Sequence, residues 1–158
     1  MLRDGMAYGA HVGDSRIYLI RGGEIFLMTE DHSAVMELVR RGVLSRDEAR
    51  HHPDKNVISR ALGSHRDVEV TGWPRPFALR PGDRFLLCTD GLYDLVGDEV
   101  LLATARDVHP QVACDRLVTL AREAGGHDNI SVAILAMRAA SEAATAGPRE
   151  TRGVEIPQ

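Results

Sequence analysis

Phe85-Leu-Leu-Cys-Thr-Asp-Gly91 is an apolar run that stops abruptly on an aspartate and a glycine. Preceded by Arg84, such a run suits a strand buried on both faces. The aspartate at its end is how a sheet presents a hard oxygen ligand to a divalent cation. Working outward, His127-Asp-Asn-Ile-Ser-Val-Ala-Ile134 places Asp128 just before a second β-prone run, and His11-Val-Gly-Asp-Ser-Arg-Ile-Tyr-Leu19 sets Asp14 in a strand-turn-strand context. Taken alone, Asp-Gly after a strand is most simply a turn. Three aspartates, each beside a strand end, point instead to a shared site. Carboxylate oxygens with retained waters suit Mg²⁺ or Mn²⁺, whereas zinc calls for His or Cys ligands, which do not cluster in this sequence. Asp14, Asp90 and Asp128 are therefore the candidate metal ligands.

Around these motifs the chain reads as mixed α and β. Met6 to Val12 alternates, and Arg16-Ile-Tyr-Leu-Ile20 and Glu24-Ile-Phe-Leu-Met28 flank Gly22-Gly23, a pair that accepts the positive φ of a tight hairpin. The expectation is a three-strand meander. Ala34, Val35, Leu38 and Val39 follow helical spacing, and Ser45-Arg-Asp-Glu48 has the form of a capping box opening a second short helix. Asn56 to Leu62 reads as a further short helix ended by Gly63. Trp73-Pro-Arg-Pro76 is extended or turning, since each proline biases its predecessor away from helix. Arg80-Pro-Gly-Asp83 is a turn into the Arg84–Cys88 run. Asp98 reads as the N-cap of a helix through Arg106. Pro110 suits the first turn of a longer helix to Ala124, with Val112, Leu117, Leu120, Ala121 and Ala124 on one face and Gly125 as terminator. Asn129 to Met137 closes the domain as a strand. From residue 139 onward the composition turns to Ala, Glu, Gly, Pro and Arg, which cannot repay ordering entropy, so residues 139–158 are expected to be a disordered tail.

At 158 residues, with 44% hydrophobic and 27% charged residues, the chain has the composition of one ordinary globular domain. A net charge of −4 argues against a nucleic-acid or anionic-membrane surface, because phosphate binding brings a basic excess. Cys88 and Cys114 fall in a strand-like and a helical run, where cysteine behaves as a small buried hydrophobe, so no disulfide framework is expected. No stretch approaches the roughly 20 apolar residues of a membrane helix, and the start lacks a secretory signal, so the expected compartment is cytoplasmic.

Gly13-Asp-Ser-Arg16, Asp31-His-Ser33, Asn56-Val-Ile-Ser-Arg-Ala-Leu-Gly63, Thr89-Asp-Gly-Leu92 and Asp128-Asn129 occur in one order over residues 6 to 137. In that order and spacing the chain resembles the metal-dependent protein serine/threonine phosphatases of the PP2C (PPM) family, bacterial branch. The resemblance implies an α+β fold, an α-β-β-α sandwich of two antiparallel sheets flanked by helices, here partial over residues 1–138, with a flap at about 33–63. It implies that Asp90 and Asp128 are catalytic, ligating a pair of Mn²⁺ or Mg²⁺ ions, and that Asp14 with Asp90 holds a third. It implies hydrolysis of phosphoserine and phosphothreonine in a phosphorylated protein substrate by metal-activated water, with a serine/threonine kinase as counterpart. The family's N-terminal Asp-Gly-x-Gly-Gly run, whose aspartate bridges the two metals, does not occur in these 158 residues. The chain is thus expected to be a C-terminal portion lacking the N-terminal third, with doubtful activity alone. An exposed sheet left that way invites self-association.

Other readings are blander. Adjacent residues project in divergent directions, so Asp31-His32-Ser33 cannot form a hydrolase relay among themselves and is read as a capping turn. His51 and His52 are an exposed pair before a helix-breaking proline rather than ligands. Arg16 is expected in an ion pair near Asp14, Cys88 in the core, and Trp73 as a surface-loop anchor. The competing functional reading is a non-catalytic phosphatase-like module that binds a kinase or phosphoprotein through the flap.

Overall fold

The computed structural model describes residues 1–64 and 66–139. Its centre is a four-stranded antiparallel sheet ordered β5-β4-β8-β9. The short strands β1 (Leu2–Arg3), β2 (Met6–Ala7) and β3 (Ala10–His11) precede β4 (Arg16–Arg21) and β5 (Glu24–Leu27). Helices α1 (Ala34–Arg40) and α2 (Arg46–His51) pack on each other, followed by β6 (Thr71–Gly72), β7 (Phe77–Ala78) and β8 (Arg84–Cys88). A single helical turn α3 (Asp90–Tyr93), helices α4 (Asp98–Ala105) and α5 (Pro110–Glu123), and strand β9 (Val132–Ala136) complete the chain.

Strand β8 lies between β4 and β9, and its apolar run is buried on both faces. On one face Tyr18, Leu86 and Cys88 meet Leu92, Leu101, Leu117 and Ala121 from the three helices α3, α4 and α5, and Val96 from the connection between α3 and α4. On the other, Leu19 and Phe85 meet Ala7, with Trp73, Phe77 and Leu79 packed around them. The result is helices on sheet on a second β layer made of β1-β2-β7 and β3-β6. This is the α+β architecture expected from the sequence. The Gly22-Gly23 hairpin forms with both φ values positive, at 61° and 84°. Ser33 caps α1, the Ser45–Glu48 capping box opens α2, and Pro110 stands in the first turn of α5, whose face Leu117 and Ala121 is buried.

Four local expectations are corrected. The Met6–Val12 stretch does not join a meander with β4. It breaks at Gly9 into β2, which pairs with β1 and β7, and β3, which pairs with β6. The cause is Trp73, whose ring lies where a Cβ on residue 9 would stand, at 2.2 Å. Trp73 is therefore no surface anchor: it stacks near Phe77 and Phe85, and its indole N–H donates to the Met28 carbonyl at 2.7 Å. Asn56–Leu62 is not a helix, because Val57 accepts from the Ala34 amide, Ser59 donates to the His32 carbonyl, and Ile58 bridges to Ser33 in extended pairing. Gly97, not Asp98, occupies the N-cap of α4, leaving Asp98 in the first turn, where a carboxylate favours the helix dipole. The tail expected from residue 139 lies, from residue 140 on, outside the described residues.

Candidate metal centre

Two of the three aspartates stand beside strand ends that the fold brings together. Asp90 opens α3 directly beyond β8, and Asp128 sits in the loop before β9, the next strand in the sheet. Thr89 ties the loops. Its amide donates to the Ser131 carbonyl at 3.2 Å, its hydroxyl donates to the Asn129 carbonyl at 3.0 Å, and the Ser131 amide donates back to that hydroxyl at 3.0 Å. The approach is so close that a Cβ on Gly91 would lie 2.4 Å from the Asn129 oxygen. Glycine at this position is thus a requirement of the neighbouring loop.

Asp14 reaches the same region from the turn between β3 and β4. Gly13 supplies a φ of 103° there, and both of its backbone groups are held by His32. The Gly13 amide donates to His32 Nδ1 at 3.1 Å, and the His32 amide donates to the Gly13 carbonyl at 3.0 Å. With Nδ1 accepting, the buried ring is the neutral tautomer whose Nε2–H donates to Thr71 Oγ1 at 2.8 Å. Burial, then the neighbouring His11 ring stacked at 4.6 Å, pushes the His32 pKa down, in keeping with that neutral state.

Among the described residues Asp14, Asp90 and Asp128 make no ion pair. Asp90 and Asp128 each spend Oδ1 on the following amide, at 2.9 and 2.6 Å, and no donor among the described residues reaches Oδ2. Burial first, and the charge of Asp90 second, raise the pKa of Asp14. Asp14 and Asp90, half-buried, repelling each other and offset only by the distant charge of Arg16, are an environment that a hard divalent cation relieves. Asp128 is more exposed than the other two. Among the described residues no three His, Cys, Asp or Glu side chains close into one cage, so Asp14 and Asp90 come within electrostatic reach while Asp128 stands in the adjoining loop.

The remaining sequence candidates fall elsewhere. Asp31, His32 and Ser33 form no relay: Asp31 takes a forked bond from Arg16, His32 holds Gly13 and Thr71, and Ser33 accepts from the Met36 amide as N-cap. Arg16 is the expected ion pair, made with Asp31 at 2.7 Å and stacked 3.7 Å over the Tyr93 ring. Burial pushes the Cys88 thiol up to about 12, which fits a core residue and not a nucleophile. His52 accepts from the Asp54 amide through Nδ1 and His51 is exposed. Tyr93 and Lys55 were missed by sequence reasoning. Lys55 of the 33–63 insert reaches Asp94 at the end of α3 at 2.6 Å, and no local pattern announces it.

Comparison with known proteins finds one group of relatives. Residues 1–40 match the family model Protein phosphatase 2C. The serine/threonine protein phosphatase PstP of Mycobacterium tuberculosis is 43% identical over 124 residues, covering 78% of this chain and 24% of that protein. Its crystal structure superposes with a TM-score of 0.82 at 37% identity, covering 88% of this chain and 58% of the other. Protein phosphatase PhpP of Streptococcus pneumoniae is 40% identical over 135 residues, covering 85% of this chain and 54% of that protein. A structure of the PstP catalytic domain in complex with two manganese ions matches with a TM-score of 0.69 at 36% identity, over 85% of this chain and 54% of that one. The chain thus spans between about a quarter and somewhat over half of the proteins it matches. Motif order, identity and shared architecture lead to one conclusion, that the chain is similar in sequence and fold to part of the phosphatases of the protein phosphatase 2C family.

Proposed function

We propose that this chain is part of a Mn²⁺- or Mg²⁺-dependent phosphoprotein phosphatase acting on phosphoserine and phosphothreonine, with Asp14, Asp90 and Asp128 as metal ligands and Asp90 and Asp128 at the catalytic pair. The observation that carries it is the set of carboxylates near the end of β8 that make no ion pair among the described residues, two of them in loops joined by one Thr89 clamp. Bound divalent ions supply an acidified water for direct in-line attack and neutralise the phosphoryl oxygens. The chain's own contribution is placement: Thr89 and Gly91 set the spacing of the Asp90 and Asp128 loops, and Gly13 with His32 sets the Asp14 turn. The named relatives are phosphatases, and the two manganese ions belong to the PstP structure.

The substrate side of the proposal includes a phosphorylated protein, a serine/threonine kinase as counterpart, and a cytoplasmic setting. Among the described residues no helix is long and apolar enough to cross a membrane. Self-association has a specific surface. Phe26, Leu19, Phe85 and Leu135 form one row across the sheet, and while the two middle members are covered, Phe26 and Leu135 are 43% and 41% exposed.

The test is hydrolysis of a small aryl phosphate and a phosphothreonine peptide with and without Mn²⁺, using Asp90→Asn as control. Metal-dependent turnover lost in that variant supports the proposal. A folded chain that neither turns over nor binds Mn²⁺ more tightly than Asp90→Asn favours the non-catalytic module instead.

A further inference from the structure

Asp90 and Tyr93 begin and end the same helical turn, so a candidate ligand and a phenol move as one unit. The Tyr93 hydroxyl donates to the backbone carbonyl of Asp14 at 3.1 Å, across 79 residues of chain. Arg16, two residues beyond Asp14, lays its guanidinium carbon 3.7 Å over the Tyr93 ring. The guanidinium is itself immobilised, forked on Asp31 at 2.7 to 3.3 Å and donating to the Tyr18 hydroxyl at 3.2 Å. The loop closes on itself: Asp14 carbonyl, Tyr93 hydroxyl, Tyr93 ring, Arg16 and back along the chain to Asp14.

The Asp14 turn needs such an outside hold. Gly13 at a φ of 103° permits many orientations of the peptide that follows, because glycine lacks the steric preference of other residues. His32 fixes both backbone groups of Gly13, but the next peptide group, through its carbonyl, is held by Tyr93. We propose that Tyr93 is a positioning residue: its hydroxyl orients the Asp14 turn against the Asp90 helix so that both carboxylates face one cation, and Arg16–Asp31 holds the ring in place for that purpose. This rests on the reading of Asp14 and Asp90 as ligands.

Ring and hydroxyl have separable duties. The ring packs against the helical core, where any aromatic of that size would serve, whereas only the hydroxyl reaches Asp14. Tyr93→Phe in the full chain removes the second alone. Mn²⁺ affinity is measured by titration calorimetry for the parent, Tyr93→Phe, Asp14→Asn, the double variant, Asp90→Asn and Leu117→Val, with thermal unfolding of each. Leu117 is fully buried between α5 and the sheet, and its truncation serves as a destabilised control away from the metal centre.

The expected result is that Tyr93→Phe weakens Mn²⁺ binding roughly tenfold, the scale on which partners of metal ligands act. Adding it to Asp14→Asn should cost almost nothing more, since the hydroxyl works through Asp14. Leu117→Val should lower the melting temperature and leave affinity unchanged. Tyr93→Phe binding like the parent, while Asp90→Asn loses affinity, overturns the positioning role and spares the ligand assignment. Leu117→Val weakening binding as much as Tyr93→Phe overturns it too, because general destabilisation then suffices. Parent and Asp90→Asn binding alike removes the ligand reading, and the role of Tyr93 falls with it.

Discussion

Replacing Gly91 by alanine tests the clamp between the two loops most directly. The added Cβ would sit 2.4 Å from the Asn129 oxygen, 2.9 Å from its carbon and 3.4 Å from Ile130 Cγ1. The first two of these atoms are backbone, which cannot swing aside. Real Cβ atoms essentially never come within 3.0 Å of such neighbours, so the loops must separate by roughly 0.6 Å at least. The Thr89 hydroxyl spans the same gap with bonds of 3.0 Å to Asn129 and Ser131, and separation stretches the first of them past good geometry. Overpacking of this kind costs about 1–3 kcal/mol, and one hydrogen bond adds about 1 kcal/mol. Thermal and urea unfolding should therefore show Gly91→Ala destabilised by about 2–4 kcal/mol. Because Asp90 and Asp128 are carried apart by the same displacement, Mn²⁺ affinity should fall more in Gly91→Ala than in a core variant of equal stability loss. An alanine variant as stable as the parent, or one whose loss leaves metal binding intact, would refute the argument that the loops' contact sets the spacing of the carboxylates.

Two further outcomes follow from ion pairs. Burial pushes the Asp83 carboxyl up, but the forked Arg21 and the Arg80 amide outweigh it and hold the pKa below the ordinary carboxylate value. A folded-state pKa depressed in this way contributes stability that is fully present above the ordinary value near 4 and is lost as pH falls through the folded value. Asp83→Asn should lose about 3 kcal/mol at neutral pH and show a flatter acid limb than the parent below pH about 4 in pH-dependent denaturation; parallel limbs would sink the assignment. The Lys55–Asp94 pair is partly exposed and worth at most about 1 kcal/mol, so Lys55→Ala should hardly move the melting temperature. Limited proteolysis in the 41–64 segment should nonetheless quicken, since this contact joins the insert to the α3 turn; an unchanged cleavage rate would show that the insert is held elsewhere.

What could be read from the sequence was whatever depends on near neighbours. Capping boxes, the Pro110 start of α5, the double-glycine hairpin and the apolar β8 run all lie within a few residues of the signals that specify them. The failures share a different cause. Met6–Val12 looked like one strand because Gly9 is an unremarkable residue until Trp73, 64 positions later, covers it. Asn56–Leu62 has a helical pattern that loses to the two hydrogen bonds of one extended bridge with residues 32–34, a case of tertiary pairing overriding local propensity.

The metal centre divides along the same line, and the division explains which residues matter for placement. The ligand candidates Asp14, Asp90 and Asp128 were legible because each stands at the end of a strand that announces itself locally. The residues that aim them were not, because aiming is a relation between segments: Thr89 reaches Asn129, His32 reaches Gly13, and Tyr93 reaches Asp14. Asp31 shows the point most plainly. Within its own tripeptide it suggests a relay that geometry forbids, whereas across the fold it anchors Arg16, which in turn holds the Tyr93 ring over the Asp14 turn. Chemistry that needs hard oxygen ligands at a strand end can be inferred from residue type alone. The rigidity that would let such ends act as one site has to be supplied by long-range contacts, and in this chain those contacts converge on the two turns, at residues 13–16 and 89–93, that carry Asp14 and Asp90.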